Sequence, residues 1–81
     1  MTITVLFFAQ ARDQAGCASQ TLCLPDGSGV ADALEAIERQ HPSLAALWPH
    51  LAVAVDGLLA DRGMTLRPGA ELALLPPVSG G

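Results

Sequence analysis

Val30-Ala31-Asp32-Ala33-Leu34-Glu35-Ala36-Ile37-Glu38-Arg39-Gln40-His41 is the stretch on which the arrangement of the whole chain turns. Val30, Leu34, Ile37 and His41 recur at helical spacing, with Ala33 beside them. They form one apolar stripe. Asp32, Glu35, Glu38 and Arg39 take the opposite side. Ser28 or Gly29 serves as the N-cap, and Asp32 complements the positive first turn. Pro42 disfavours helical geometry at His41 and ends the helix there. One amphipathic helix with one apolar stripe must bury that stripe against something else in the chain.

The flanking segments are of strand type. Thr2–Ala9 (TITVLFFA) is β-branched and aromatic. Ile3, Val5 and Phe7 fall on one face, and Thr4, Leu6 and Phe8 on the other. Gln10–Gly16 reads as a polar connection, and Ala18–Leu24 as a second strand with Leu22 and Leu24 on one face. Pro25-Asp26-Gly27-Ser28-Gly29 breaks the chain before the helix. After it, Ser43–Trp48 reads as a short helical turn closing the core edge, and Leu51–Val55 as a third strand. Asp56-Gly57 is a type I′ hairpin signal leading into Leu58–Leu59–Ala60. Arg67-Pro68-Gly69-Ala70 suits a type II turn, and Glu71–Leu75 is the last strand, with Leu72 and Leu74 sharing a face.

The order ββαβββ lets the helix cover a face built by Ile3, Val5, Phe7, Leu72 and Leu74. The expected fold is α+β: a mixed sheet packed on one main helix, first and last strands central, which is the β-grasp (ubiquitin-like) architecture. A ferredoxin-like split would need a second helix, and Ser43–Trp48 is too short for one. Residues 1–75 form the domain and residues 76–81 a flexible C-terminal tail.

Composition excludes several classes. Of 81 residues, 51% are hydrophobic, which is too apolar for a disordered chain. Lysine is absent, and four arginines against eight acidic residues give a net charge of −4. No basic patch exists for nucleic acid or for an anionic membrane surface. No apolar run is long enough to span a bilayer, and MTITVLFF lacks the features of a signal peptide. The expected location is the cytoplasm, with Cys17 and Cys23 reduced. They could approach one another across the first hairpin, but two cysteines are too few for a disulfide scaffold or a zinc site. Trp48 is expected at the core edge with its indole N–H near the surface, His41 as a cation at a helix C-terminus, and His50 exposed. No catalytic triad or metal site can be assembled. So small a domain buries roughly 60–65% of its unfolded surface, leaving little room for a catalytic pocket. The apolar excess hints at a docking surface.

The last six residues carry the chemistry. Pro76 and Pro77 cannot donate to a sheet ladder and favour an extended path. Val78 and Ser79 are small, and Gly80 and Gly81 have no side chains. Such an end can thread a narrow channel and present its carboxylate to another protein's active site. A carboxylate is inert toward nucleophiles until activated, for example as an acyl-adenylate.

Leu6–Arg12 (LFFAQAR), Pro76–Gly81 (PPVSGG) and the Pro68-Gly69-x-Glu71-Leu72 turn resemble the small subunit of molybdopterin synthase, the MoaD sulfur-carrier family. The resemblance covers the whole chain. It implies that Gly81 is adenylated with ATP by a MoeB-like activating enzyme. A sulfur donor then converts it to a thiocarboxylate, a 1-thioglycine. It implies that the tail enters a MoaE-like large subunit and gives its sulfur to cyclic pyranopterin monophosphate, forming molybdopterin in a heterotetramer. The small subunit is then a carrier, with no bound cofactor or metal, and the catalytic side chains belong to the large subunit. The partner contacts implied are Phe8, Leu59, Leu75 and the tail Pro76, Pro77, Val78, Ser79 and Gly80. Arg12 matches the family's arginine after the first strand, where it pairs with an acidic group of the partner or of the chain itself, or anchors its loop.

The chain departs from the family at Leu74 and Leu75, where aromatics are frequent, at Asp56, where asparagine is common, and in lacking lysine. The face carrying Leu6 and Phe8 also carries Ala73 and Leu75 if the first and last strands are neighbours. It is then either a partner's docking surface or a face folded under Ser43–Trp48. Three other readings remain open: a ThiS-type carrier for another pathway, a ubiquitin-like modifier attaching Gly81 to target lysines, and a non-covalent interaction module.

Overall fold

The computed structural model describes residues 1–77. In chain order it has β1 (Thr2–Phe7), α1 (Ala9–Ala15), β2 (Ser19–Cys23), α2 (Val30–Gln40), two single 3₁₀ turns (Pro42–Leu44 and Trp48–His50), β3 (Ala52–Val55), β4 (Leu58–Leu59) and β5 (Glu71–Leu75). The five strands form one sheet in the order β2-β1-β5-β3-β4. β1 and β5 are parallel, and every other neighbouring pair is antiparallel. This is the mixed, one-main-helix β-grasp sheet that the patterning predicts, with β5 in its centre.

The core forms where the helix stripe meets the sheet. Val30, Ala33, Leu34 and Ile37 of α2 are buried against Ile3, Val5 and Phe7 of β1 and Leu72 and Leu74 of β5. The register sets Val5 beside Leu72 and Phe7 beside Leu74, so the alternation along both strands turns the same positions inward. Each such large side chain contributes roughly 1.5–3 kcal/mol by leaving water. Leu44, on the first 3₁₀ turn, is fully buried and closes one end of the core. At that end the His41 ring meets Phe7 edge-on at 5.3 Å and its Nε2 pairs with the Gln20 side chain. The histidine therefore fastens the end of α2 to β2.

The loop before α2 depends on Gly29. Its N–H is accepted by the Asp32 carboxylate at 2.9 Å. Val30 N–H reaches the carbonyl of Met64 (2.8 Å), and Leu66 N–H reaches that of Ser28 (2.9 Å). A Cβ on Gly29 would stand 2.9 Å from the Met64 oxygen, so only glycine fits this backbone crossing. The turn before β5 also forms as expected: Ala70 N–H donates to Arg67 carbonyl (3.1 Å), with Gly69 at φ 80°.

Four expectations are corrected. Gln10–Gly16 is not a bare connection. Ala9–Ala15 is a helix built from good helix formers, with Ala11 buried in the core and Gly16 closing it in the left-handed region. The chain therefore has a second, short helix. Ser43–Trp48 is not one helical turn: residues 45–47 form a turn between the 3₁₀ turns Pro42–Leu44 and Trp48–His50. The Trp48 indole nitrogen is buried and has no hydrogen-bond partner among the described residues. Cys17 and Cys23 do not face one another across a hairpin. Both lie on the β2 arm, Cys23 opposite Thr2 at its far end and Cys17 before its start, and both are free thiols.

Candidate docking face and carrier terminus

The side of the sheet away from α2 is divided in polarity along the strands. Toward the start of β1 and β5 it shows Thr2, Thr4 and Glu71, with Thr21 and Cys23 on the adjoining edge. Toward their ends it shows Leu6, Ala73 and Leu75. β3 adds Ala52 beside Leu75 and Ala54 beside Ala73, and β4 adds Leu59 beside Ala54. Because β1 and β5 are parallel, the apolar half lies at the end where β5 runs out into Pro76 and Pro77.

Phe8 extends this surface. It continues the extended line of β1 (φ −115°, ψ 150°) before Ala9 turns the chain with φ 49°. It therefore keeps the facing of Leu6. Phe8 is 45% and Leu59 77% exposed, while Leu6, Ala73 and Leu75 are half-buried. The 3₁₀ turns do not fold over Phe8, and α1 packs at the core side through Ala11. The structure thus brings Phe8, Leu59, Leu75 and Pro76 to one end of one face. Val78, Ser79, Gly80 and Gly81 lie outside the described residues.

Arg12 stands one turn along α1 from Phe8 and is exposed. Its side chain makes no ion pair or hydrogen bond among the described residues. Neither an internal ion pair nor a loop-anchoring bond is formed there. Ala52 and Ala54 escaped the sequence reading. The alternation Ala52-Val53-Ala54-Val55 carries the signal: the valines turn toward the core, Val53 only partly buried, and the alanines lie on the outer side beside Leu75 and Leu59, Ala52 exposed and Ala54 buried.

Asp56 does more than form a turn. Asp56 (φ 50°) and Gly57 (φ 85°) adopt the left-handed pair of a type I′ hairpin between β3 and β4. Asp56 N–H still bonds the Glu71 carbonyl (2.9 Å), as the β3–β5 ladder requires. The carboxylate Oδ1 accepts Glu71 N–H at 3.0 Å, and Oδ2 lies 3.3 Å from the Arg67 guanidinium. The Glu71 N–H holds the Asp56 carboxyl below its usual pKa. Slight desolvation opposes this, and Arg67 reinforces it. A lowered folded-state pKa stabilises the fold above the unfolded-state value, and the contribution disappears as pH falls through the folded-state value. Asp56→Asn removes that titration. Melting curves near pH 7 and at about pH 3 are expected to show a difference between the two proteins that changes as the pH falls from the ordinary carboxylate value toward the lowered one.

Among the described residues, no group of three or more His, Cys, Asp or Glu could hold a metal ion, and no helix is long and apolar enough to cross a membrane.

The sequence profile of the ThiS family matches residues 5–81. The human molybdopterin synthase sulfur carrier subunit is 34% identical over 98% of this chain and 93% of its own length. The protein of that name from Chlamydomonas reinhardtii is 36% identical over the full length of both. Among solved structures, that of small archaeal modifier protein 1 (SAMP1) from Haloferax volcanii superposes with a TM-score of 0.91 at 31% identity, covering all of both chains. A chain in the complex of subunits 1 and 2 of molybdopterin-converting factor from Helicobacter pylori gives 0.74 at 27% identity, again over both whole chains. With a family match from the first strand to the last glycine, and relatives aligned end to end, this chain belongs to the ThiS family, the family of the molybdopterin synthase sulfur carrier subunits.

Proposed function

We propose that this chain is the sulfur carrier subunit of a molybdopterin synthase and works in the cytoplasm. The observation that carries the reading is positional: the apolar half of the open sheet face lies beside the strand end from which Pro76–Gly81 depart. A partner gripping Leu59, Phe8 and Leu75 sits beside the end of β5, where Pro76 begins the tail segment. The complex of two subunits from Helicobacter pylori supports a partner of the large-subunit, MoaE-like kind.

The chemistry needs no side chain of this protein. The Gly81 carboxylate attacks ATP on a MoeB-like enzyme, giving the acyl-adenylate and pyrophosphate. The outer sulfur of a donor persulfide displaces AMP to give an acyl disulfide, and a second thiol of the sulfur-donating system cleaves its S–S bond, becoming a disulfide and leaving the 1-thioglycine thiocarboxylate. In the large subunit that sulfur passes to cyclic pyranopterin monophosphate, and hydrolysis of the acyl group returns the Gly81 carboxylate. What this chain supplies is a sterically bare terminus and a docking face. Arg12, exposed beside that face, is the cation that would meet an acidic group of the partner. Intact mass measurement after incubation with activating enzyme, ATP and sulfur donor tests the reading. The expected result is replacement of one oxygen by sulfur, followed by molybdopterin formation when the large subunit and precursor are added. An unchanged mass with an activating enzyme shown to be functional overturns it.

A second reading, a protein modifier, is favoured by the close superposition on small archaeal modifier protein 1. It predicts amide-linked conjugates of Gly81 to lysines of other proteins in place of the sulfur gain. With no lysine of its own, the chain offers no side-chain amine for conjugation to another copy of itself.

A further inference from the structure

We propose that Asp56 is a positioning residue for Leu59, fixing where the β4 hairpin presents that side chain to the partner. The inference rests on the docking face described above and adds to it the device that holds its most exposed element in place.

β4 has little to hold it. It is two residues long, lies at the sheet edge and pairs only with β3. Its side chains, Leu58 and Leu59, are 74% and 77% exposed, so burial contributes little to its position. An isolated short hairpin is marginal in water. Asp56 supplies the missing constraint through a substitution of one acceptor for another. Continuing the β3–β5 ladder past Val55–Leu72 would pair Asp56 with Glu71, each N–H meeting the other's carbonyl. The first of these bonds forms. In the second, the Asp56 carboxylate oxygen takes the Glu71 N–H in place of a main-chain carbonyl (3.0 Å). The main chain at Asp56 is thereby released to turn at φ 50° into β4 without giving up its attachment to the central strand. Arg67, from the turn before β5, closes on the other oxygen.

The position thus has two requirements: tolerance of the left-handed region, and a side-chain acceptor three bonds from Cα. Aspartate and asparagine meet both, glycine meets only the first, and alanine meets neither. Asp56→Gly therefore removes the latch and keeps the turn, and Asp56→Asn keeps both.

The test is a double-mutant cycle on binding to the cognate synthase large subunit, with Asp56→Gly, Asp56→Asn, Leu59→Ala and the double variant Asp56→Gly/Leu59→Ala. Melting curves confirm that each variant is folded at the temperature of measurement. Expected are a loss of about tenfold or more for Leu59→Ala, about fivefold for Asp56→Gly, and less than about twofold for Asp56→Asn. In the Leu59→Ala background the loss from Asp56→Gly should shrink to about twofold or less, because a latch has no effect on binding once the side chain it positions is gone. If Asp56→Gly weakens binding equally in both backgrounds, or not at all, the positioning role is wrong while the docking face stands. If Leu59→Ala binds as tightly as the parent chain, the docking face itself is wrongly assigned and the positioning role falls with it.

Discussion

Deletion of Gly81 is expected to abolish sulfur transfer while leaving thermal unfolding of the domain unchanged. The last buried core side chain among the described residues is Leu74, and the last ladder position is Leu75. The described core and ladder are therefore built from residues that precede the final glycine by six or more positions. Sulfur transfer is expected to depend on it through reach. The deletion withdraws the terminal carboxylate by one residue, about 3.3–3.6 Å along an extended chain. A misplacement of about 1 Å at a reacting centre can already cost on the order of a hundredfold in rate. The variant still ends in a glycine carboxylate, so its failure would report reach and not the loss of a chemical group. Intact mass after the activation reaction, molybdopterin yield with the large subunit, and a melting curve are the three measurements. A truncated chain that carries and delivers sulfur at the parent rate, or one that melts well below the parent, would show that the terminus is not the independent arm proposed.

Leu75→Glu is expected to weaken binding to the large subunit by at least about 2 kcal/mol, roughly thirtyfold in Kd. The reason is desolvation: closing the interface would bury an unpaired carboxylate where an apolar side chain had been. In the free protein Leu75 is only half-buried, and a glutamate there can keep its charge in water, so the melting temperature should fall by much less. The neighbouring residue provides the contrast. Leu74 points to the other side of the sheet and is fully buried, so Leu74→Glu should fail to fold under the same conditions. Titration by calorimetry together with melting curves separates the two residues. Unchanged affinity for a Leu75→Glu chain that melts much lower would place Leu75 in the core and remove it from the docking face.

Much of this molecule was legible without coordinates. The helical stripe of Val30, Leu34 and Ile37 and the strand alternation of Ile3, Val5 and Phe7 set which side chains must meet, because burial dominates and each period admits one apolar face. Asp56-Gly57 and Pro68-Gly69 announce their turns through backbone stereochemistry alone. Ala9–Ala15 was missed because seven residues give too short a periodicity, and polar side chains mask two inward alanines. Its alanine content and the closing Gly16 were the available signals. The Trp48 indole N–H was misread because whether it is covered depends on tertiary packing, which the local pattern of residues 43–48 does not carry.

The sequence by itself determined the identity of the inward faces and supplied the Gly80-Gly81 segment on which the proposed chemistry rests. Both follow from the covalent character of single residues: a glycine carboxylate without bulk, and side chains that water rejects. Only the tertiary structure decided that Leu6, Phe8, Leu75 and Leu59 share one end of one face, since that depends on β5 lying parallel to β1 and antiparallel to β3. It alone also revealed the second task of Asp56. A hydrogen bond from Glu71, fifteen residues away, exists only once β5 has entered the centre of the sheet.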